Sequence, residues 1–281
     1  MFNPDNFKRS ILAVEALGAT PAVLVKAWEL SKDPNTDLDT FCALLRNDGP
    51  LAADFIRLSN SPYCAPAASH SNLNSAINHL GIKEVIRVIN LSLAQQLFAR
   101  DLPSYGISAS DYWSASICTA LVMEALAEHV GLNPEDAYTV GLLHAIGRVL
   151  INHVIEEQRF TIYWDGRQPI QDWERTSVGF DYAEAGAIVL ECWRFPKTTC
   201  DTIRGQLQPE PPLEQVSMTG LLQFSHRLLA LTGLGFKNEH WEMPETDLFA
   251  QAAGLNAASI KDLVSVCRDD FKGVLQSVDL S

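Results

Sequence analysis

Seven histidines carry the most evident chemical potential in this 281-residue chain: His70, His79, His129, His144, His153, His226 and His240. Imidazole and carboxylate groups converging from several helices can hold a divalent metal and activate a water as nucleophile. No two of these histidines lie three or four residues apart, so no helix offers two of them on one face. His144 stands in the apolar run "GLLHAIGRVLI", residues 141–151. His153 follows nine residues later. At ~3.6 residues per turn that is about two and a half turns, which puts the two on opposite faces. A lone imidazole on an apolar helix reads first as a buried, hydrogen-bonded core residue. One imidazole cannot hold a catalytic divalent metal against water, because affinity comes from several ligands arranged together.

Other candidate chemistry is weighed the same way. The cysteines Cys42, Cys64, Cys118, Cys192, Cys200 and Cys267 form no C-x-x-C pair. They read as reduced, mostly buried thiols rather than a disulfide framework. Cys192 and Cys200 flank a Trp-Arg-Phe-Pro turn, where burial is a simpler reading than a redox pair. Glu156, Glu157, Asp269 and Asp270 read as solvated helix faces. Trp164 and Trp173 lie in the less regular stretch "RFTIYWDGRQPIQDWERTSVG", which reads as a loop or lid. Loops carry function more often than helices, so these two tryptophans are the candidate ligand or partner contacts.

These residues must be positioned by helices, because helical periodicity dominates and no series of alternating strands is evident. "TDLDTFCALLRND" opens with Thr36 as the expected N-cap and Asp39 at the capping-box position. A short helix "SAINHL" meets a stop at Gly81, and "IKEVIRVINLSLAQQLF" continues as a long apolar helix. A helix-turn-helix reading of this pair fails, because the second helix carries Ile82, Val85, Ile86, Val88, Ile89, Leu91 and Leu93 where base readout needs polar groups. Residues 103–106 mark a boundary, and "SASDYWSASICTALVMEALAEHV" runs to Gly131. "NPEDAYTVGLLHAIGRVLINHVIEE" reads as one helix capped by Asn133 with Pro134 in the first turn. "DYAEAGAIVLECW" has Asp181 as cap. "QPEPP", residues 208–212, is a stiff break before two further helices, near 213–231 and 256–278. The expected fold is all-α, with two packed helical subdomains spanning 1–104 and 105–281.

Composition narrows the function classes. Hydrophobic residues make up 47% of the chain and charged residues 20%, which suits a folded domain rather than a disordered polymer. The formal net charge of -13, without a dense Lys/Arg cluster, argues against nucleic acid and anionic membranes as partners. The amino terminus does not read as a signal peptide, and no uninterrupted apolar run approaches the ~20 residues of a membrane span. The expected location is the cytoplasm.

Several stretches, taken in order, resemble a known family. "LLRNDGPLAADFIRLSNSPYC", "LNSAINHLGIKEVIRVI", "YWSASICTALVMEALAE", "DAYTVGLLHAIGRVLI" and "FDYAEAGAIVLECWRFP" follow the order found in the HDOD family, the HD-related output domains of bacterial signalling proteins. The resemblance spans about residues 20–206 and rests on Asn60-Ser61, the run from Ala76 to Gly81 and the Gly-Leu-Leu-His block. The family is similar to HD phosphohydrolases and HD-GYP cyclic-di-GMP phosphodiesterases but usually lacks their complete metal site. Carried over residue by residue, the first metal-binding histidine of an HD enzyme falls on Ala115, the His-Asp doublet on His144 and Ala145, and the histidine before "AEAG" on Tyr182. The late histidine pair falls near Arg204, Gly205 and Gln206.

The resemblance therefore implies an HD-like second subdomain whose Ala115, His144, Ala145 and Tyr182 line a vestigial pocket. No catalytic residue, no metal ligand and no cofactor are expected. The implied function is a non-catalytic signalling output or adaptor module acting through protein-protein contacts. Its implied partners are signalling proteins such as response-regulator receivers or cyclic-dinucleotide enzymes. The alternative is a metal-dependent nucleotide or cyclic-dinucleotide phosphohydrolase with an unconventional site.

Overall fold

The computed structural model describes residues 21–33, 36–46, 49–60, 70–157, 162–208, 216–236, 239, 241–242, 244 and 247–277. The amino-terminal twenty residues, Ser61, Cys64, the prolines of the 208–212 break and His240 lie outside them. The fold is all-α: among the described residues no strand forms, and an isolated bridge joins Leu102 and Ile107. The chain divides into two compact units, one built on residues 17–97 with 269–281, the other on Phe98–Arg268.

The first unit contains α1 (Pro21–Lys32), α2 (Leu38–Arg46), α3 (Gly49–Ser59) and α4 (Leu73–Leu97). α4 packs against the other three. Phe41 and Leu45 of α2, Leu51 and Phe55 of α3, and Ala76, Ile77, Val85 and Ile89 of α4 are buried. Asp37, rather than Thr36, caps α2, accepting the Thr40 N–H at 2.9 Å. Gly81 sits at φ 76, ψ 165 and kinks α4 at the expected stop. The helix beyond it is core at Val85, Ile86, Val88, Ile89 and Leu91, whereas Ile82 is exposed.

The second unit begins with a 3-10 turn at Pro103–Tyr105 closed by Gly106. It continues with α5 (Ala109–Val130), α6 (Pro134–Leu143), α7 (Ile146–Glu157), α8 (Ile170–Val178), α9 (Tyr182–Cys192), α10 (Lys197–Gly205), α11 (Met218–Thr232), α12 (Leu248–Ala252) and α13 (Ala257–Ser277), whose residues beyond Arg268 are counted with the first unit. α5 is buried along most of its length and packs on α6 and α11. Asn133 caps α6 through the Asp136 N–H, and Asp181 caps α9 through the Glu184 N–H, as their spacing predicts. α9 lies against α7 and α10.

One expected helix is two. The run Pro134–Glu157 breaks at His144 and Ala145. The Ala145 carbonyl accepts the Arg148 N–H at 2.9 Å, and side chains from distant segments donate to both carbonyls of the break. The Tyr112 hydroxyl donates to the Ala145 carbonyl at 2.8 Å, and the Gln206 amide donates to the His144 carbonyl at 2.9 Å. By length and composition alone the same run, though interrupted by His144 and Arg148, is apolar enough to cross a membrane. Its apolar window is 89% buried inside the fold, which makes it a core element here.

Candidate functional site

The break between α6 and α7 aims His144 and Arg148, four residues apart, into one buried pocket of the second unit. α7 approaches α9 so closely that a β-carbon on Gly147 would fall 2.0 Å from the Tyr182 carbonyl oxygen. Only glycine permits this crossing, and the crossing places Tyr182 over the Arg148 side chain. The guanidinium lies 4.3 Å from the Tyr182 ring centroid and 4.2 Å from that of Phe236. Its side chain is 0% exposed, and it forms an ion pair with Glu239. Cation–π contact and an opposite charge together offset the desolvation of a buried guanidinium.

A second carboxylate stands nearby. Glu174 of α8 is fully buried and accepts from the Tyr105 hydroxyl at 2.7 Å and the Tyr182 N–H at 2.8 Å. Burial pushes its carboxyl up to about 7, against the opposing pull of Arg148 and of both hydrogen bonds. His144 is pushed down to about 3, first by burial and then by the Arg148 charge, while its bond to the Gly141 carbonyl works the other way. That bond, 2.6 Å from Nδ1, sets the tautomer, because a carbonyl only accepts. Nδ1 carries the proton, and Nε2 is buried without a hydrogen-bond partner. His226 of α11 lies 4.8 Å from His144, ring centroid to centroid, and burial holds it well below its ordinary value. Its Nε2 faces the Gln206 Oε1 at 3.3 Å. At neutral pH the pocket thus holds the Arg148–Glu239 ion pair and neutral imidazoles.

His144, Ala145 and Tyr182 all meet at this pocket: Ala145 through its carbonyl, Tyr182 through its ring. Ala115 is buried on α5, and its carbonyl accepts from Thr119. Of the late positions, Gln206 reaches the pocket, whereas Arg204 pairs with Glu191 at 2.8 Å on the surface. Trp173 is on α8 rather than in a loop and packs edge-on against Tyr105 at 5.2 Å. Trp164 is held by its N–H to the Ser104 carbonyl at 2.8 Å and by its indole N–H to the Gln168 carbonyl at 3.0 Å. It lines an open groove of about 320 Å³ with Arg167, Ile170, Glu239 and Trp241.

Arg148, Glu174, Phe236, Glu239 and Trp241 escaped the sequence reading, and His226 was counted among the histidines without a place in the site. One signal was available for Arg148: it is the lone basic side chain besides histidine between Pro134 and Glu157, four residues beyond His144 on an otherwise apolar run. Of the rest, Glu174 lies on α8 and the others between residues 226 and 241, both far from His144 in the chain, with no local spacing to betray them. Among the described residues no cluster of three or more His, Cys, Asp or Glu side chains is arranged to hold a metal ion.

These features define an all-helical unit with a pocket at a His-containing break between two core helices. The HDOD domain family matches residues 17–209, more than half of the chain, and the chain belongs to that family. An HDOD domain protein of unknown function from Geobacter sulfurreducens shares the fold at a TM-score of 0.71, with 22% identity and 93% of each chain covered. A candidate phosphohydrolase from Shewanella amazonensis SB2B aligns at a TM-score of 0.65 and 19% identity over 96% of this chain and 98% of its own. A candidate signal transduction protein from Marinobacter aquaeolei VT8 aligns at 0.69 and 18% identity, over 92% of this chain and 58% of its own. An uncharacterized protein of Treponema pallidum (strain Nichols) is 23% identical over 221 residues, and this chain spans 42% of its length.

Proposed function

We propose that the chain is a signalling module that works through protein contacts and not through hydrolysis. The observation that carries this reading is the guanidinium of Arg148 in the pocket beside His144, paired with Glu239. A divalent cation entering there would meet a guanidinium whose one carboxylate partner, Glu239, is already engaged, beside the unprotonated Nε2 of His144 and the neutral ring of His226. Metal affinity needs several converging anionic or imidazole ligands, and a resident cation opposes it. Membership of the HDOD family and the likeness to the Marinobacter signal transduction protein support the signalling part. The partners in this reading are receivers of response regulators or enzymes of cyclic-dinucleotide circuits in the cytoplasm. The net charge of -13 supports a protein partner over nucleic acid or an anionic membrane.

The test is metal analysis of protein purified without chelator, joined to assays for phosphate or linear dinucleotide release. Substoichiometric metal and no turnover are expected. Near-stoichiometric iron, manganese or zinc, lost together with activity in His144→Ala, would establish the rival reading of a phosphohydrolase with an unconventional site. Capture of a receiver or a cyclic-dinucleotide enzyme by the tagged protein then identifies the partner.

A further inference from the structure

We infer that Glu239 stands in for a ligand, and that the Arg148 pocket is a binding site for a small organic anion, shut by the chain's own carboxylate. The two sides of the Arg148–Glu239 pair are built differently. Arg148 projects from α7, which is locked against α9 at Gly147. Tyr182 starts α9, so the cation and the ring beneath it move only if whole helices move. Glu239 follows α11 and belongs to no helix. Its backbone N–H makes a local turn to the Phe236 carbonyl at 3.2 Å, and its Oε2 accepts from the Trp241 indole at 2.8 Å. The anionic half of the pair is the exchangeable half.

The surroundings show where a replacement would come from. Glu239 and Trp241 line the Trp164 groove and also the small pocket that holds His226 and Phe236. These two side chains are common to both linings. Trp241 stacks on His226 at 4.8 Å, with 14° between the planes. A groove of about 320 Å³ accommodates a small ligand. An incoming oxyanion that displaces Glu239 leaves Arg148 paired and returns the Glu239 carboxylate to water, so the exchange buries no unpaired charge. The tryptophans favour an oxyanion carried on a flat apolar body. An aryl carboxylate and an aryl phosphate share that chemistry.

This goes beyond the signalling reading, and its readout is stability and fluorescence rather than metal or turnover, so either can fail alone. Thermal melts of Glu239→Ala are recorded with sodium benzoate, phenyl phosphate or acetate, each against sodium chloride of equal ionic strength. A saturable rise in Tm of about 3 °C or more over chloride is expected, because a ligand that binds only the folded state stabilises it. The arm that responds, carboxylate or phosphate, identifies the source. The rise should vanish in the Arg148→Met, Glu239→Ala double variant. In the wild type, benzoate or phenyl phosphate should change tryptophan emission at higher concentration, and Trp241→Phe should remove the change. If Glu239→Ala is unfolded without additive, recovery of helical circular dichroism by either anion supports the site. No saturable response to any of the three anions, or an equal response in the double variant, overturns it.

Discussion

A guanidinium withdrawn from water costs several kcal/mol, and Arg148 has three compensations: the Glu239 charge, two aromatic faces and the field of Glu174. Glu174 gives this arrangement a pH signature. Its carboxyl titrates near 7 in the fold against an ordinary 4.5, so the folded chain keeps a proton that the unfolded chain releases. Its stabilising contribution is whole below pH 4.5 and is lost as the pH rises through 7. The full difference is up to about 3 kcal/mol. His144 works in the opposite sense, because its folded value of about 3 lies below its ordinary 6.5. Its contribution is present above pH 6.5 and fades as the pH falls toward 3, and His226 shifts the same way. Urea unfolding of the wild type and Glu174→Gln at pH 5 and pH 8 separates the two effects. The stability of the wild type relative to the variant should fall by about 2–3 kcal/mol between those pH values. An unchanged difference would show that Glu174 is already ionised in the fold at the lower pH.

Helices whose ends are set locally were legible in the chain. Asn133 and Asp181 cap helices because their side chains reach an N–H three residues on, and that reach is written in the spacing. The break at His144 and Ala145 was not legible. Its carbonyls accept from Tyr112, 33 residues away, and Gln206, 62 residues away. A helix-period pattern runs unbroken through the break, so periodicity alone reads one helix. The crossing of α7 and α9 was equally hidden, although Gly147 and Gly186 stand in plain view in their apolar runs. A Cβ on Gly147 meets the Tyr182 carbonyl oxygen at 2.0 Å and the Gly186 nitrogen at 2.6 Å, both backbone atoms that cannot rotate aside. Gly147→Ala should cost about 3 kcal/mol or more, whereas Gly49→Ala, with nothing within 4 Å of the added carbon, should change stability by less than about 1 kcal/mol. Equal urea midpoints for the two variants would refute the close crossing.

At the scale of the whole chain, helical periodicity carried the fold class, and the ordered resemblance of five stretches carried the family. The pocket was legible only where the family pattern supplied positions, at His144, Ala145, Tyr182 and Gln206. Its charged residues needed the fold, because Arg148 and Glu239 lie on segments far apart in the chain that meet only in the folded unit. The α7–α9 crossing also has a consequence for the timescale on which different parts of the second unit open. Side chains can loosen by changing rotamer, but backbone resting on backbone separates only when a helix leaves its neighbour. Amide hydrogens in the interior of α7 and α9, at Leu150, Ile151, Val189 and Leu190, should therefore exchange with deuterium only through global unfolding. The amides of Phe236, Glu239 and Trp241, outside any helix, should exchange orders of magnitude sooner through local opening. Uniform protection across both sets would mean that the unit opens as one cooperative block. The contrasting pattern would make Glu239 the half of the pair that opens locally, while the arginine it covers stays fixed for as long as the fold lasts.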